Sequence, residues 1–112
     1  MITNEILDTI SQKIAQSYRS IYGNSIKGIF LYGSYARGDF DEESDIDYAA
    51  IIEGERLPLQ EKLKRVWKDA ADIGLEHDVL VSPTMIPEAE FEKYKGQIPY
   101  YRNIEREGKR IV

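Results

Sequence analysis

The sequence predicts an α/β (α+β) fold in which a small mixed sheet of three to four strands is flanked by helices. Two observations lead to this fold class. Apolar residues recur at helical spacing over long stretches, and short β-branched or aromatic runs stand between those stretches. The predicted order, α-β-β-α-β-α-α, has too many interleaved helices for a β-sandwich. A length of 112 residues suits a single domain spanning residues 1–112.

The first predicted helix is capped by Asn4, and its apolar residues are three and four positions apart, which places them on one face. These residues are Ile6, Leu7, Ile10, Ile14, Tyr18 and Ile21. Gly23 is placed to end the helix. The runs "IKGIFLYG" and "DIDYAAII" then predict two buried strands, the first closed by Gly33 and the second by Glu53 and Gly54.

A second long helix is predicted to begin near Pro58, which suits a first turn, and to end at Gly74. Its buried stripe is formed by Leu59, Leu63, Val66, Trp67, Ala70 and Ile73. The run "HDVLV" predicts a third strand, stopped by Ser82 and Pro83. Two short helices, "PEAEFEKYKG" and "PYYRNIEREG", complete the chain, each with proline at its start and glycine at its end.

Composition and charge exclude several classes of protein. The net charge of −5 argues against a general nucleic-acid binder, so no direct nucleic-acid binding is expected. No apolar run approaches the ~20 residues that cross a bilayer, and the N-terminus lacks a signal-peptide pattern. The absence of cysteine rules out disulfides and thiolate metal sites. These features predict a cytoplasmic protein without membrane association.

The charge is unevenly distributed along the chain. Residues 1–92 carry 9 Lys/Arg against 18 Asp/Glu, a net −9, whereas residues 93–112 carry 6 against 2, a net +4. A basic C-terminal segment could meet a phosphate or an acidic partner, or could be a solvated helix. Its three tyrosines, at positions 94, 100 and 101, either form a partner-binding patch or pack the last helices under the sheet.

The stretch "GSYARGDFDEESDID" places six carboxylates between positions 39 and 47. A calcium-binding EF-hand loop fails in both registers. Starting at position 39 puts serine where the sharp turn needs glycine and alanine where the bidentate glutamate belongs, and starting at position 41 puts isoleucine in both places. Four of the six acids are expected to belong to a solvated turn: Asp39, Asp41, Glu42 and Glu43.

Asp45 and Asp47 differ from the other acids because they open an apolar strand. Side chains two apart on a strand point to the same face, and Ile46 and Tyr48 are then expected to face the core. Two adjacent carboxylates repel each other unless a cation neutralises them or one of them binds a proton. Oxygen donors of this kind hold Mg²⁺, a cation that also binds substrate phosphates.

Gly33 and Ser34 predict a phosphate site just before these acids. Gly33 ends a strand, "SYARG" can open one helical turn, and backbone N–H groups at such a turn point beyond the strand. Ser34 adds a hydroxyl, and Arg37 would lie on the same side of the turn. Gly-Ser at a strand end, with Asp-x-Asp eleven residues later, is a far more specific signal than Gly-Ser alone.

The run "YGSYARGDFDEESDIDYAAII" resembles the glycine-serine and Asp-x-Asp signature of the nucleotidyltransferase superfamily. In the form "GSxARG…SDxD" it is similar to the minimal nucleotidyltransferases, MntA-type antitoxins that are paired with HEPN toxins. "YYRNIEREGKRIV" is similar to the C-terminal helix and glycine of that group. The resemblance implies a nucleotidyltransferase fold, ATP as substrate and transfer of AMP to a tyrosine of the toxin.

The resemblance also implies a third carboxylate on a neighbouring strand, and Asp78 in "HDVLVSP" fits it best. Asp45, Asp47 and Asp78 would be the catalytic and metal-binding residues for two Mg²⁺ ions. Gly33, Ser34 and Arg37 would bind the nucleotide, and Ser44, counted with them, would mainly fix the loop. With no second domain, specificity would come from a HEPN-type partner or a homo-oligomer. Transfer to a small molecule and a non-catalytic blocking module remain alternatives.

Overall fold

The computed structural model describes residues 2–112, which form one four-stranded mixed sheet in the order β3-β2-β1-β4. The helices are α1 (Asn4–Tyr22), α2 (Ser34–Arg37), α3 (Arg56–His77), α4 (Glu88–Tyr94) and α5 (Pro99–Glu107). The strands are β1 (Ile26–Tyr32), β2 (Ile46–Ile52), β3 (Val81–Pro87) and β4 (Lys109–Arg110). The predicted fold class is confirmed, and none of the helices described is long and apolar enough to cross a membrane.

The sheet is mixed because its strands are joined in two ways. β1 runs antiparallel to both β2 and β4, and the acidic loop joins β1 to β2 as a wide hairpin. β2 and β3 are parallel, so α3 serves as the crossover between them. The end of β1 and the start of β2 therefore lie at the same edge of the sheet, and the start of β3 lies beside them. This edge is formed by the ends of strands and not by an edge strand.

One face of the sheet is covered by α1 and α3, whose apolar stripes meet a large core. Ile10, Ile14, Tyr18 and Val66 are fully buried there. On this face the buried Tyr18 hydroxyl is paired, since it donates to the Thr84 carbonyl at 2.8 Å. The opposite face carries a smaller core under α4 and α5, built from Ala49, Ile51, Ile86, Phe91 and Ile104.

Two helix termini differ from the sequence prediction. Thr3 caps α1, because its hydroxyl accepts from the Ile6 N–H at 3.1 Å, and Asn4 is already the first helical residue. Gly23 ends α1 as predicted. Helix α3 does not stop at Gly74 but continues to His77 and is closed by Asp78 in the left-handed conformation, with φ 53°.

Gly74 lies inside α3 for a packing reason. The N–H groups of Asp78 and Val79 donate to the Gly74 carbonyl, so the chain folds back over the last helical turn. A Cβ at position 74 would collide with the Val79 carbonyl oxygen. Glycine is therefore needed where the returning chain crosses the helix, and it does not mark the helix end.

The third strand consequently begins later than the sequence prediction placed it. "HDVLV" supplies only its first residue, and β3 runs through Val81–Pro87, including Ser82 and Pro83, which were predicted to stop it. β3 is an edge strand, where proline is tolerated because its missing N–H can face away from the ladder. β4, a two-residue strand beside β1, had no sequence signal.

Candidate active site

The turn after β1 depends on Gly33, which has φ 74° and caps the four-residue helix α2. Its carbonyl accepts from the N–H groups of Ala36 and Arg37, both at 3.1 Å. A Cβ built on Gly33 would lie 2.5 Å from Oδ2 of Asp47. The carboxylate is therefore pressed against the glycine backbone, an approach that no other residue at position 33 would permit.

Asp47 lies in β2 directly between Tyr32 of β1 and Ser82 of β3. Ile46 and Tyr48, on either side of it, are fully buried in the α1/α3 core. This confirms the prediction that they point inward, and Asp47 lies on the opposite face. Asp45 precedes the strand and is exposed.

The electrostatics of Asp47 reflect its surroundings. Burial raises the pKa of the Asp47 carboxyl, and the nearby charge of Asp45 raises it further, whereas Arg37 lowers it. Burial and the charge of Asp45 therefore both disfavour the ionised Asp47 carboxylate in the free protein. A bound cation would relieve both effects, because it attracts the two carboxylates and replaces part of the lost hydration.

Arg37 lies at the end of α2, where it is surrounded by acids. Its Nε is 3.2 Å from Oδ2 of Asp39, and its Nη1 is 3.6 Å from Oε2 of Glu107 at the end of α5. These partners raise the pKa of Arg37, with Asp39 the main cause. An exposed guanidinium held in this way is available to an incoming phosphate, for which Arg has suitable geometry.

Ser44 fixes the acidic loop. Its hydroxyl accepts from the Asp41 N–H at 2.9 Å and donates to Asp41 Oδ1 at 3.1 Å, while the Glu43 N–H donates to the same carboxylate at 2.9 Å. The turn closes on itself immediately before Asp45. Ser44 therefore has a structural task here, and a direct contact with nucleotide stays a prediction.

Asp78 is the site residue whose surroundings differ most from the expectation. It does not open the third strand but occupies the exposed turn between α3 and β3, because the helix runs one turn further than predicted. The β3 residue that pairs with Asp47 is Ser82. Among residues 2–112, no group of three acidic, histidine or cysteine side chains is arranged to hold a metal ion.

Asp78 nevertheless lies near the other acids. A cavity of about 540 Å³ is lined by Asp45 and Asp78, with Glu42 and Glu43 at its rim and Gly74 in its wall. Asp47 is on the α4/α5 face instead, beside Tyr32. The structure thus brings Gly33, Ser34, Arg37, Asp45 and Asp47 to one edge of the sheet and leaves Asp78 across a cavity from Asp45.

Two neighbours of Asp47 had not been predicted as part of the site. Ser82 occupies the adjacent position on β3, and Tyr32 the adjacent position on β1. The hydroxyl oxygens of Tyr32 and Tyr100 are 2.8 Å apart. The sequence signal for Ser82 is the run "VSPTMIP". If this run is interpreted as an edge strand, the third strand begins four residues later and includes Ser82.

The donor set suits a hard divalent cation only in part. Asp45 and Asp47 supply carboxylate oxygens, and the exposed edge leaves room for water and substrate oxygens, which Mg²⁺ accepts as ligands. The place beside Asp47 where a third carboxylate was expected holds a hydroxyl. Asp45 and Asp47 are the residues that would hold a Mg²⁺ ion here, and water and phosphate oxygens would complete its ligands.

The glycine-serine turn, packed against the Asp47 carboxylate of the next strand, is the candidate active site. The family model for the nucleotidyltransferase domain matches residues 11–112, and the chain belongs to this family. It is 33% identical over 79 residues to "Putative protein adenylyltransferase MJ0141" of Methanocaldococcus jannaschii, which covers 70% of this chain and 77% of that protein.

Two solved structures have the same fold. A crystal structure of a toxin–antitoxin with AMP-PNP has a TM-score of 0.59 and 19% identity, covering 91% of this chain and 72% of that one. A mutant of the toxin–antitoxin MntA–HpeT also has a TM-score of 0.59, with 17% identity and the same coverage. At such identities the likeness concerns the fold, and it agrees with the four-stranded mixed sheet described above.

Proposed function

We propose that this protein is a metal-dependent nucleotidyltransferase that transfers AMP from ATP to a tyrosine hydroxyl of a HEPN-type toxin and thereby acts as its antitoxin. The observation that carries the proposal is the apposition of Gly33 and Asp47. A backbone turn suited to phosphate meets a carboxylate suited to a cation, with room for no Cβ between them. That combination serves a substrate that is both anionic and metal-bound.

The comparisons support the kind of reaction and of partner. The curated relative is described as a protein adenylyltransferase, which favours a protein acceptor. The two structural neighbours described above are toxin–antitoxin structures, one of them with AMP-PNP, which favours an adenine nucleotide and a toxin partner. Family membership by itself gives only nucleotidyl transfer, so the tyrosine, the toxin and the metal dependence belong to the proposal.

In the proposed reaction the acceptor hydroxyl oxygen attacks the α-phosphorus of ATP. A new P–O bond forms, the bond between the α-phosphorus and the bridging oxygen breaks, and pyrophosphate leaves. Mg²⁺ bound by Asp45 and Asp47 would supply positive charge at the reacting phosphate. One of the same carboxylates would take the proton that the acceptor hydroxyl loses.

The remaining residues of the edge bind and orient the triphosphate. Ser34 presents a hydroxyl at the start of α2, where the first N–H groups of a helix point outward. Arg37 would exchange its contacts with Asp39 and Glu107 for the phosphate tail. Ser44 keeps the acidic loop closed so that Asp45 stays at the mouth of the site.

Asp78 receives a secondary role in this proposal. It lines the same cavity as Asp45, so its charge acts on the same region, whereas Asp47 lies on the α4/α5 face of the sheet. The pair Asp45 and Asp47 is therefore expected to matter more than Asp78. The family resemblance implies three equivalent carboxylates, whereas the local geometry favours two, Asp45 and Asp47. Comparing the variants distinguishes these two arrangements.

The test is neutralisation of a HEPN-type toxin by co-expression, with labelled ATP used to follow AMP transfer. The Asp45→Asn/Asp47→Asn variant is expected to lose transfer and protection together. Glu42→Gln/Glu43→Gln removes the same charge from exposed positions of the adjacent loop and is expected to keep both. Full protection by the double asparagine variant would overturn the catalytic account and favour a chain that blocks its partner sterically.

A further inference from the structure

The α4/α5 face carries a pair of tyrosines next to the candidate active site. The rings of Tyr32 and Tyr100 meet edge to face, with centroids 5.5 Å apart and planes at 82°. Their hydroxyl oxygens are 2.8 Å apart, and this hydrogen bond is exposed. Tyr100 lies in the first turn of α5, and 39% of its surface is exposed.

The pair lies beside Asp47. Tyr32 is the cross-strand partner of Asp47 in the antiparallel β1–β2 ladder. Directly opposed side chains in such a ladder share one face and have Cβ atoms about 5 Å apart. The Tyr32 hydroxyl is hydrogen-bonded to that of Tyr100, so a single tyrosine side chain separates this exposed phenol from the cross-strand position of Asp47.

We propose that Tyr100 is itself an AMP acceptor, so that the chain adenylylates its own Tyr100 in the absence of a partner. The inference rests on the proposed function and extends it to a second acceptor. The Tyr100 oxygen would attack the α-phosphorus of ATP, and the α–β phosphate bridge would break. Pyrophosphate would leave, and the phenolic proton would pass to water at the exposed hydroxyl.

Three features single out Tyr100 among its neighbours. The Tyr32 ring packs against the small core of the α4/α5 face, and its hydroxyl reaches solvent only beside that of Tyr100. The Tyr101 hydroxyl points along the sheet to Glu90, at 3.3 Å. Tyr94 belongs to α4, where its ring lies beside Lys93.

Charge also favours this position. Tyr100 belongs to residues 93–112, whose net charge is +4, whereas residues 1–92 carry −9. The basic segment would attract the anionic nucleotide toward α5 and would offset the negative charge that an attached AMP leaves there. The resulting adduct would stand against Asp47, so a modified chain is expected to bind further ATP less well.

The experiment incubates the purified chain with ATP and Mg²⁺ and measures its intact mass, followed by fragmentation to locate the adduct. The expected result is one added AMP on Tyr100. Its initial rate per molecule should be independent of protein concentration, because the acceptor and the site belong to the same chain. An adduct on any other residue, or a rate that rises with protein concentration, would overturn the inference.

Two variants provide matched controls. Tyr100→Phe keeps the ring contact with Tyr32 and removes only the hydroxyl, so it should fold and lose the adduct. Tyr101→Phe removes the hydroxyl of the adjacent residue, and this variant should still gain the AMP adduct. A Tyr100→Phe chain that still gains one AMP at the wild-type rate would contradict the assignment.

The failure of this inference can be told apart from the failure of the proposed function. Binding of α,β-methylene ATP, whose α–β bridge cannot be cleaved in this way, is measured by thermal melting on the same samples. Mg²⁺-dependent binding without an adduct would reject Tyr100 as acceptor and leave the proposed function standing. The absence of binding and of adduct would reject both.

Discussion

The two faces of the sheet are built differently. The α1/α3 face is covered by helices of 19 and 22 residues, and its core contains many fully buried side chains. The α4/α5 face is covered by helices of 7 and 9 residues and has a smaller core. The short helices leave the edge of the sheet near Gly33 and Asp47 open to solvent, which is where the candidate active site lies.

The difference separates the residues that hold the fold from those proposed to carry the chemistry. Alternate residues of β2 serve the two purposes: Ile46 and Tyr48 enter the large core, and Asp47, between them, faces the other side. A half-buried carboxylate next to another carboxylate is unfavourable in the free protein. The large core on the opposite face stabilises the strand that carries it.

The largest expected change in stability follows truncation on the α1/α3 face. Ile14 is fully buried, so Ile14→Ala should lower the free energy of unfolding by roughly 2–5 kcal/mol. For a domain of this size, this corresponds to a fall in melting temperature of roughly 10–25 °C. Gln16→Ala, at an exposed position of the same helix, should change little. If folded Ile14→Ala no longer bound nucleotide, the two faces of the sheet would not act independently.

A smaller loss of stability, together with loss of nucleotide binding, is expected from Gly33→Ala. The new Cβ would meet Asp47 Oδ2, and the positive φ adds backbone strain of roughly 1–3 kcal/mol. Gly38→Ala is the matched control, because Gly38 also has positive φ but none of residues 2–112 has an atom that would contact its new Cβ within 4 Å. Equal effects on nucleotide binding, measured by titration, would show that the contact with Asp47 is unimportant.

The raised pKa of Asp47 predicts a pH dependence. The folded protein holds this proton more tightly than the unfolded chain, so the associated stability is present at low pH. It is lost as pH rises from the usual value of 3.8 through the raised pKa. The melting temperature of the metal-free wild type should therefore fall relative to that of Asp47→Asn over that pH range. A wild-type melting temperature that stays constant or rises relative to that of Asp47→Asn as pH rises would contradict the assignment.

The smallest effect is expected from Asp78→Asn. Asparagine also tolerates the left-handed conformation of this turn, so the fold should be kept. Since Asp78 lies across the cavity from Asp45, AMP transfer should fall by less than about tenfold, or roughly 1.4 kcal/mol in the barrier. A loss as complete as that of Asp45→Asn/Asp47→Asn would show that Asp78 reaches the metal during the reaction.

Much of the fold could be predicted because local signals and packing agree in its longest elements. Helix α1 and strands β1 and β2 follow directly from helical spacing and from apolar runs. The third strand could not be placed correctly, since Gly74 resembles a helix end and Pro83 resembles a strand end. Their actual roles depend on the three-dimensional packing of the chain. Gly74 is needed where Val79 returns over the helix, and Pro83 is tolerated because β3 is an edge strand.

The candidate site shows the same division. Gly33, Ser34, Arg37, Asp45 and Asp47 are close in sequence and joined by one short connection, so their meeting at one edge follows from the hairpin. Ser82 and Tyr100 reach the site through a parallel crossover and through packing of α5, and no local pattern indicates either contact. Asp78 was misplaced because its position depends on the strand boundary. The catalytic roles themselves stay predictions.

The most direct test of the central claim is thermal melting of the wild type and of Asp45→Asn/Asp47→Asn with a panel of nucleoside triphosphates, with and without Mg²⁺. Ligand at ~100 times its Kd adds about 2.7 kcal/mol, or roughly 10–20 °C for a domain of this size. The shift produced by ligand is compared, because removal of two repelling carboxylates can itself stabilise the free protein.

We expect a shift with ATP that requires Mg²⁺ and disappears in the double variant, while Glu42→Gln/Glu43→Gln keeps it. An equal ATP shift in the double variant would contradict the proposed function, because the nucleotide would then bind without Asp45 and Asp47. A wild type that responds to no triphosphate at all would contradict it as well.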